Sequence, residues 1–411
     1  MPKEILLDKL ANLSVVVGAN VQKDQIVVIN GSTDSKELVR KVVEEAYKAG
    51  AKNVFVTWSD AYIGKMDVEY QSIETLEDIP QYSIDRYKYF IDKGACVISI
   101  LSPIPDLNSD LDPAKQQALA IASSKAFNFI YEYMMGNKGQ WTIIAASNPV
   151  WAKKVFPDKD EDEAVKALWN AIFKTSRITE DNNPVQAWKE HNDRLTKHKK
   201  VLNDLQFKSL HFTNKLGTDL TVELVKNHIW SGGQEETTGG IVFNPNIPTE
   251  ENFTMPLKTG VNGKVFATKP LDYQGNLIED FWLEFKDGKV IDFDAKKGKS
   301  NLQNLINFDE GSSYLGEVAL ISYDSPISKS NILFYNTLFD ENASCHLALG
   351  RAYPMNIKGG ITMSPEELKK LGYNNSMTHV DFMFGSKDLD VVGETPSGEK
   401  VQVFKNGNFV I

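Results

Sequence analysis

The chain contains 411 residues, of which 42% are hydrophobic and 24% are charged, an ordinary composition for a globular protein. A single hydrophobic core seldom extends beyond about 250–300 residues, so the length predicts two domains. The formal net charge is −10, and acidic and basic residues are interspersed. This pattern argues against nucleic acid as a partner, because nucleic-acid binding requires a continuous basic surface.

The sequence also bears on the compartment. The first residues, MPKEILLDKLANL, carry acids and lack the apolar core of a signal peptide. No stretch approaches the roughly 20 apolar residues that a membrane-spanning helix needs. The two cysteines, Cys96 and Cys345, do not form a disulfide framework, which favours a reducing compartment. We therefore expect a cytoplasmic protein that does not contact a membrane.

The amino-terminal half alternates predicted helices with predicted strands. Apolar residues at helical spacing, or helix-capping signals, mark residues 4–16, 37–49, 84–93 and 113–134. Apolar runs that predict buried strands occupy residues 25–30, 53–59, 95–103 and 141–149. Alternation of helices with continuously apolar strands indicates a mostly parallel sheet that helices cover on both faces.

The loops at the ends of these strands are candidate binding positions, because parallel sheets bind ligands at that edge. They contain neither G-x-G-x-x-G nor G-x-x-x-x-G-K-[ST], so we expect no nucleotide-binding loop. Asp60, Asp106 and Asn148 lie in these loops and could contact a substrate, but we interpret each as an ordinary loop residue.

The carboxyl-terminal half has a different pattern. Residues 160–205 are predicted to be helical, and the next stretch, SLHFTNKLGTDLTVELV, alternates apolar and polar residues around Gly217. The sequence KDGK at 286–289 predicts a hairpin turn. We therefore predict an α/β amino-terminal domain over residues 1–205, followed by a β-rich α+β domain over residues 206–411 that carries a metal site.

Two stretches near the carboxyl terminus combine metal-binding side chains. The first, ENASCHLALGRAY at 341–353, contains a carboxylate, a thiol, an imidazole and a phenol; we expect Asn342 or Ser344 to begin a short helix that Gly350 ends. The second, THVDFMFGS, contains His379 and Asp381. A run such as VDFMF favours a strand, where residues two apart face the same side, so these two side chains should lie together.

Two further segments contribute carboxylates. NPNIPTEENFTMP at 244–256 places Glu250 and Glu251 beside prolines, and YLGEVALIS at 314–322 places Glu317 in an apolar strand. A carboxylate in a buried strand is costly unless a cation or hydrogen bonds satisfy it. Each of these residues alone could form an ordinary salt bridge, and a lone histidine could be a satisfied core residue. Together, two imidazoles and several carboxylates are the ligands that borderline divalent metals prefer.

These segments also carry a resemblance to a known family. NIPTEENFTMP, YLGEVAL, LFDENASCHLALGRAYP and MTHVDFMFGS resemble, in the same order, motifs of the aminopeptidase T / aminopeptidase S family of metallo-aminopeptidases, and the resemblance covers the whole chain. It implies a homodimer with an enclosed site, a tyrosine near the metals at Tyr353, and a two-metal site. The metal ligands that it implies are Glu251, Glu317, Glu341, His346, His379 and Asp381. The register of the motif leaves Glu250 as the alternative to Glu251.

The implied chemistry agrees with the residues. Five or six nitrogen and oxygen ligands exceed what one tetrahedral zinc uses, so we expect two divalent ions, namely zinc, cobalt, manganese or magnesium. The ions would activate a water, Glu317 or Glu251 would carry its proton, and Tyr353 would donate a hydrogen bond to the oxyanion. One ion could also hold a free α-amine. The expected function is hydrolysis of the first residue from peptides that have a free N-terminus.

Three alternatives remain at this stage. A two-metal phosphoesterase would need a basic clamp, for which only Arg351 is nearby in the sequence. A purely structural metal site would usually contain more cysteines. Cys345 could be a nucleophile because it adjoins His346, but no separate base or orienting group is apparent.

Overall fold

A four-stranded parallel sheet forms the centre of the amino-terminal half in the computed structural model, which describes residues 2–273 and 276–411. The sheet has the order β2-β1-β3-β4. Its strands are β1 (Ile26–Ser32), β2 (Asn53–Ser59), β3 (Cys96–Leu101) and β4 (Trp141–Ala145). Neighbouring strands all pair in parallel. Val27, Ile29 and Ile98 are fully buried, as expected for strands covered on both faces.

Nine α-helices lie in the described part of this half and its junction with the next. They are α1 (Glu4–Leu13), α2 (Lys36–Lys48), α3 (Ala61–Tyr70), α4 (Ile73–Glu77), α5 (Gln81–Asp92), α6 (Pro113–Met135), α7 (Pro149–Val155), α8 (Glu161–Thr175) and α9 (Pro184–Leu205). Among the described residues, no helix of the chain combines the length and the apolar character that crossing a bilayer requires.

Helices α3, α4 and α7 were not predicted from the sequence, and the stretch predicted as a strand over residues 141–149 is wrong at its end. The strand stops at Ala145, and α7 begins at Pro149, a favourable first helical residue. Asn148 accepts a hydrogen bond from the backbone N–H of Trp151 at 2.8 Å and so caps this helix.

The other polar residues at the strand ends also have structural partners. Asp60 accepts hydrogen bonds from the backbone N–H groups of Tyr62 and Ile63, and so caps α3. Asp106 forms an ion pair with Lys154 at 2.5 Å. These contacts support the interpretation that the polar residues at this sheet edge are loop and capping residues.

The carboxyl-terminal half is rich in antiparallel strands. A nine-stranded sheet has the order β11-β12-β10-β6-β5-β17-β18-β19, with β13 paired to β12, and β7 pairs with β8. The strands are β5 (Ser209–Thr213), β6 (Asp219–Leu224), β7 (Glu235–Glu236), β8 (Val242–Phe243), β9 (Asn252–Thr254), β10 (Pro256–Phe266), β11 (Leu271–Tyr273), β12 (Asn276–Lys286), β13 (Lys289–Lys297), β14 (Leu315–Leu320), β15 (His346–Gly350), β16 (His379–Met383), β17 (Asp390–Glu394), β18 (Lys400–Lys405) and β19 (Asn408–Phe409).

Short helices connect several of these strands: α10 (Lys299–Ile306), α11 (Pro326–Ser330), α12 (Thr337–Asp340) and α13 (Pro365–Lys370). The predicted hairpin turn is confirmed between β12 and β13. Asp287 and Gly288 both have positive φ there, at 50° and 81°, which is the conformation of a tight two-residue hairpin.

A second antiparallel sheet, with the order β16-β15-β14-β9, contains most of the segments that carry metal-binding side chains. The expected short helix ending at Gly350 is wrong, because His346–Gly350 forms the strand β15. This strand is buried throughout and pairs with β14 on one edge and β16 on the other. Pairing on both edges decides its conformation, although alanine and leucine favour helices in isolation.

The predicted fold class is confirmed: a parallel α/β part is followed by a β-rich part that carries the candidate metal-binding residues. By internal contacts, the chain forms one compact unit from residues 1–191 and 234–248 and another from residues 192–233 and 249–411. The predicted boundary at residue 205 separates two independently folding domains, and it stays a prediction.

Candidate metal centre

The pairing of three strands places the polar side chains on one face of a sheet. Ala348 in β15 pairs with Glu317 in β14 and with Asp381 in β16. His346 precedes Ala348 by two residues, and His379 precedes Asp381 by two residues, so all five side chains share a face. The opposite face is apolar and belongs to a hydrophobic core that includes Val318, Leu347, Leu349 and Phe382.

Two overlapping triads form on the polar face. Glu251, Glu317 and His346 can each offer one ligand atom, all within 4.8 Å of one another, and Glu317, His379 and Asp381 form a second such group. His346 Nε2 lies 3.4 Å from Glu251 Oε2 and 3.4 Å from Glu317 Oε1. His379 Nε2 lies 3.4 Å from Glu317 Oε2 and 3.3 Å from Asp381 Oδ1. Each oxygen of Glu317 therefore faces a different imidazole.

Backbone carbonyls orient both imidazoles. His379 Nδ1 donates to the carbonyl oxygen of Arg351 at 2.6 Å, and His346 Nδ1 donates to that of Ser344 at 3.4 Å. A carbonyl oxygen can only accept, so Nδ1 carries a proton in both rings. In the neutral tautomer Nε2 then presents its lone pair to the carboxylates, as in histidines that bind metals.

Burial and mutual repulsion perturb the acidic groups. Burial raises the pKa of Glu251 to about 8, and the carboxylates of Glu317 and Asp381 contribute to this rise against the effect of His346. The pKa of Asp381 lies below its usual value. Burial by itself would raise this pKa, but the neighbouring His379 imidazole outweighs the effect of burial. The carboxylates are thus stabilised in their charged form where a positive charge lies beside them.

The imidazoles respond in the opposite direction. The pKa of His346 is raised to about 10. Burial by itself would lower this pKa, but the carboxylates of Glu317, Asp381 and Glu251 outweigh the effect of burial. The pKa of His379 is likewise raised well above its usual value, because Asp381 and Glu317 outweigh its burial. The arrangement therefore attracts positive charge strongly, whether from protons or from a bound cation.

The residues present fit a divalent cation. Asp381 Oδ1 is buried and accepts no hydrogen bond from the described residues, although His379 Nε2 lies 3.3 Å from it. Glu251, Glu317 and His346 are also buried. A cation would satisfy these groups, and carboxylate oxygens with imidazole nitrogens are the donor set of zinc and its neighbours in the transition series.

The two other predicted glutamates lie outside these triads, as far as the described residues show. Glu341 is half-buried at the end of α12, and burial together with the carboxylates of Glu251 and Asp381 raises its pKa well above the usual value. The backbone N–H of Glu250 donates to Asn342 Oδ1 at 2.8 Å. The position of Glu251 in the first triad favours Glu251 over Glu250 as a ligand, and the assignments of Glu251 and Glu341 stay predictions.

Tyr353 lies beside the second triad. Its ring centre is 4.8 Å from that of His379 and 6.1 Å from that of Phe253, and the residue is half-buried. The sequence placed Tyr353 near the metals only through the family resemblance, and the structure brings its ring against a triad member.

Arg351 and Cys345, on which the phosphoesterase and cysteine-nucleophile alternatives depend, form structural contacts. Arg351 Nε donates to the carbonyl oxygen of Ser376 at 2.7 Å, which ties down a loop. The Cys345 thiol contacts the backbone N–H and carbonyl of Ile321, and burial raises its pKa to about 12. A phosphate clamp and a thiolate nucleophile are therefore poorly supported.

Ala348 and Asn342 are the residues of this region whose importance the sequence analysis missed. Ala348 lies between Glu317 and Asp381, where a small side chain leaves space on the polar face. The sequence contained a signal for this role, because Ala348 follows His346 by two residues and leucines alternate with them, as on one face of a strand. The interpretation of this stretch as a helix led us to overlook that alternation.

Comparison with known proteins gives matches over nearly the whole chain. Residues 3–409 match the family described as thermophilic metalloprotease (M29). Aminopeptidase AmpS of Bacillus subtilis (strain 168) is 49% identical over 405 residues, which cover 98% of each chain. Aminopeptidase 2 of Geobacillus stearothermophilus is 45% identical, covering 98% of this chain and 97% of that protein. The solved structure of wild-type AmpT from Thermus thermophilus is similar with a TM-score of 0.92, at 36% identity and 99% coverage of each chain.

Replacing Ala348 by valine tests whether the space on the polar face matters. Two added methyl groups between Glu317 and Asp381 should lower the affinity for zinc by about 10- to 100-fold, because overpacking typically costs about 1–3 kcal/mol. The core face should be unaffected, so circular dichroism should be unchanged. The measurement is isothermal titration of metal-stripped protein with zinc, and Ala348→Ser is the control of nearly equal size. Equal affinity of the valine and parent proteins would show that Ala348 does not border a metal-binding site.

Proposed function

The chain belongs to the thermophilic metalloprotease family M29, and on this basis we propose that it removes the N-terminal residue from peptides with the help of two divalent ions. Family membership and the aminopeptidases at 49% and 45% identity support a metal-dependent aminopeptidase. The peptides, the number of ions and the residues that hold them are parts of the proposal.

The position of Glu317 is the observation that carries the two-ion proposal. Its two oxygens face two different imidazoles, so this carboxylate would contribute a ligand atom to both triads. We assign one ion to Glu251, Glu317 and His346, and the other to Glu317, His379 and Asp381. Glu341 would be an additional ligand that approaches from the end of α12. Six ligands exceed the four of one tetrahedral zinc, and zinc, cobalt, manganese and magnesium all accept such donors.

The residues around the ions would each move or hold one proton. When bound, divalent ions act as Lewis acids that lower the pKa of water and polarise a carbonyl group. Glu317 or Glu251 would take the proton of the attacking water and pass it to the leaving amine nitrogen. Tyr353 would donate its hydroxyl to the carbonyl oxygen as that atom gains negative charge. The carbonyl of Arg351 would keep His379 oriented throughout.

The substrates that fit this site are peptides with a free N-terminus. A free α-amine could serve as a further ligand of a bound ion, and an acylated N-terminus offers no such ligand. Nucleic acid and membranes are not part of the proposal. The proposal does include a cytoplasmic location and a homodimer with an enclosed site, which rest on the composition and on the family resemblance.

Removal of metal should abolish peptide hydrolysis. The ions would neutralise the buried carboxylates and activate water, so metal-stripped protein should not hydrolyse an aminoacyl-nitroanilide, and added zinc, cobalt or manganese should restore activity. Metal content is measured on the same samples by mass spectrometry. Full activity in protein shown to be free of metal would exclude this mechanism.

Replacing Tyr353 by phenylalanine should lower kcat by about 10²–10³, because loss of one oxyanion donor typically has an effect of that size. KM and metal content should change little, since the phenol hydroxyl is not proposed as a ligand. Steady-state kinetics and metal analysis of the variant test this expectation. An unchanged kcat would mean that Tyr353 only borders the site.

A free N-terminus should be required for cleavage. A peptide with a free amine should be shortened one residue at a time, whereas its N-acetylated form should stay intact, because an acylated amine cannot coordinate a bound ion. Mass spectrometry of both peptides over a time course provides the measurement. Fragments cut from the middle of either peptide, or equal cleavage of the acetylated form, would indicate an endopeptidase instead.

A further inference from the structure

Asn342 connects two of the segments that carry proposed ligands. Its side-chain oxygen accepts a hydrogen bond from the backbone N–H of Glu250 at 2.8 Å. Its amide nitrogen donates to the carbonyl oxygen of Leu338 at 3.2 Å and to Glu341 Oε1 at 3.4 Å. The residue is completely buried. One side chain thus contacts the neighbour of Glu251, a carbonyl of helix α12 and the carboxylate of Glu341.

The segment that precedes Glu251 has little regular structure to hold it. Strand β9 begins only at Asn252, after a proline-containing stretch, so residues 250–251 lie just outside the strand. Asn342 lies on a 3-10 turn at Glu341–Ala343 that leads into β15 through Ser344 and Cys345. The hydrogen bond to Glu250 therefore connects the segment that carries Glu251 to the segment that carries His346.

From this geometry we infer that Asn342 is a positioning residue for only one of the two proposed ions, the one assigned to Glu251, Glu317 and His346. The inference rests on the proposed two-ion function. The second triad, Glu317, His379 and Asp381, lies on strands β14 and β16, both of which pair with β15, and its imidazole is oriented by the carbonyl of Arg351. Asn342 makes no hydrogen bond to any of these three side chains among the described residues.

Loss of the Asn342 amide should therefore affect the ions unequally. Without the acceptor for the Glu250 N–H, the segment that carries Glu251 loses this hydrogen bond, and Glu341 loses a hydrogen-bond donor. Mutation of residues that orient metal ligands typically lowers metal affinity by about 10- to 100-fold. We expect a change of that size for one ion and wild-type affinity for the other.

The experiment uses full-length, metal-stripped Asn342→Leu, which has a similar side-chain size but no polar atoms, and Asn342→Ala as the second variant. Zinc bound per chain is measured by mass spectrometry across a series of buffered free zinc concentrations. Asn203→Leu is the matched control. Asn203 also accepts from a backbone N–H, that of Trp230 at 2.9 Å, and donates to the Trp230 carbonyl at 3.1 Å, but among the described residues its side chain forms no hydrogen bond to a proposed ligand segment.

Cobalt identifies which ion is lost. With one equivalent of cobalt, the visible spectrum of Asn342→Leu should match that of His346→Ala, which lacks a ligand of the same triad. It should differ from that of His379→Ala, which lacks a ligand of the other triad. Asn203→Leu should bind two ions as the wild type does.

The outcomes separate this inference from the proposed function. If the wild type binds two ions and the Asn342 variants bind both with equally reduced affinity, or both with unchanged affinity, the inference alone is overturned. A single ion in the wild type would overturn the two-ion function and the inference with it. Failure of both Asn342 variants to fold, while Asn203→Leu folds, would also overturn the inference, because Asn342 would then act on the fold as a whole.

Discussion

The register of β15 between β14 and β16 is the constraint on which the candidate site depends. It places Ala348 opposite both Glu317 and Asp381 and brings the two histidines to the same face. Side chains alternate along a strand, so a shift by one residue would exchange the two faces. Leucines would then point into the site, and charged groups would enter the core. The apolar face fixes the register because that exchange would be very costly.

The same face concentrates charges that burial disfavours. Glu251, Glu317 and Asp381 lie close together in surroundings from which water is largely excluded, and the imidazoles provide the nearest positive charge. Such an arrangement weakens the fold unless a cation balances it, which is common where function rather than stability determines a cluster of residues. The sheet can carry this cluster because its other face belongs to an extensive hydrophobic core.

Much of the fold could be predicted from the sequence, because continuously apolar strands that alternate with helices leave few other architectures. The pairing of His379 with Asp381 followed from their spacing in a strand, and this was correct. The conformation of residues 346–350 was not predictable locally, since HLALG fits a helix by propensity and becomes a strand only through its two neighbours. Helices α3 and α7 were missed because their caps, Asp60 and Asn148, resemble ordinary loop residues. The contact between Asn342 and Glu250 joins distant parts of the sequence, and no local pattern reveals it.

The wide spacing of the triad members along the chain has a consequence for folding. Glu251, Glu317, His346 and Asp381 come from four separate strands or strand ends, so the unfolded polypeptide offers no preformed chelating group. An ion that binds the native arrangement and not the unfolded chain shifts the folding equilibrium by mass action. Each tenfold rise in free ion above its dissociation constant would add about 1.4 kcal/mol to the free energy of unfolding. The melting temperature of this half of the chain would then depend on the metal supply of its surroundings, so a chelator could expose the protein to degradation as well as inhibit it.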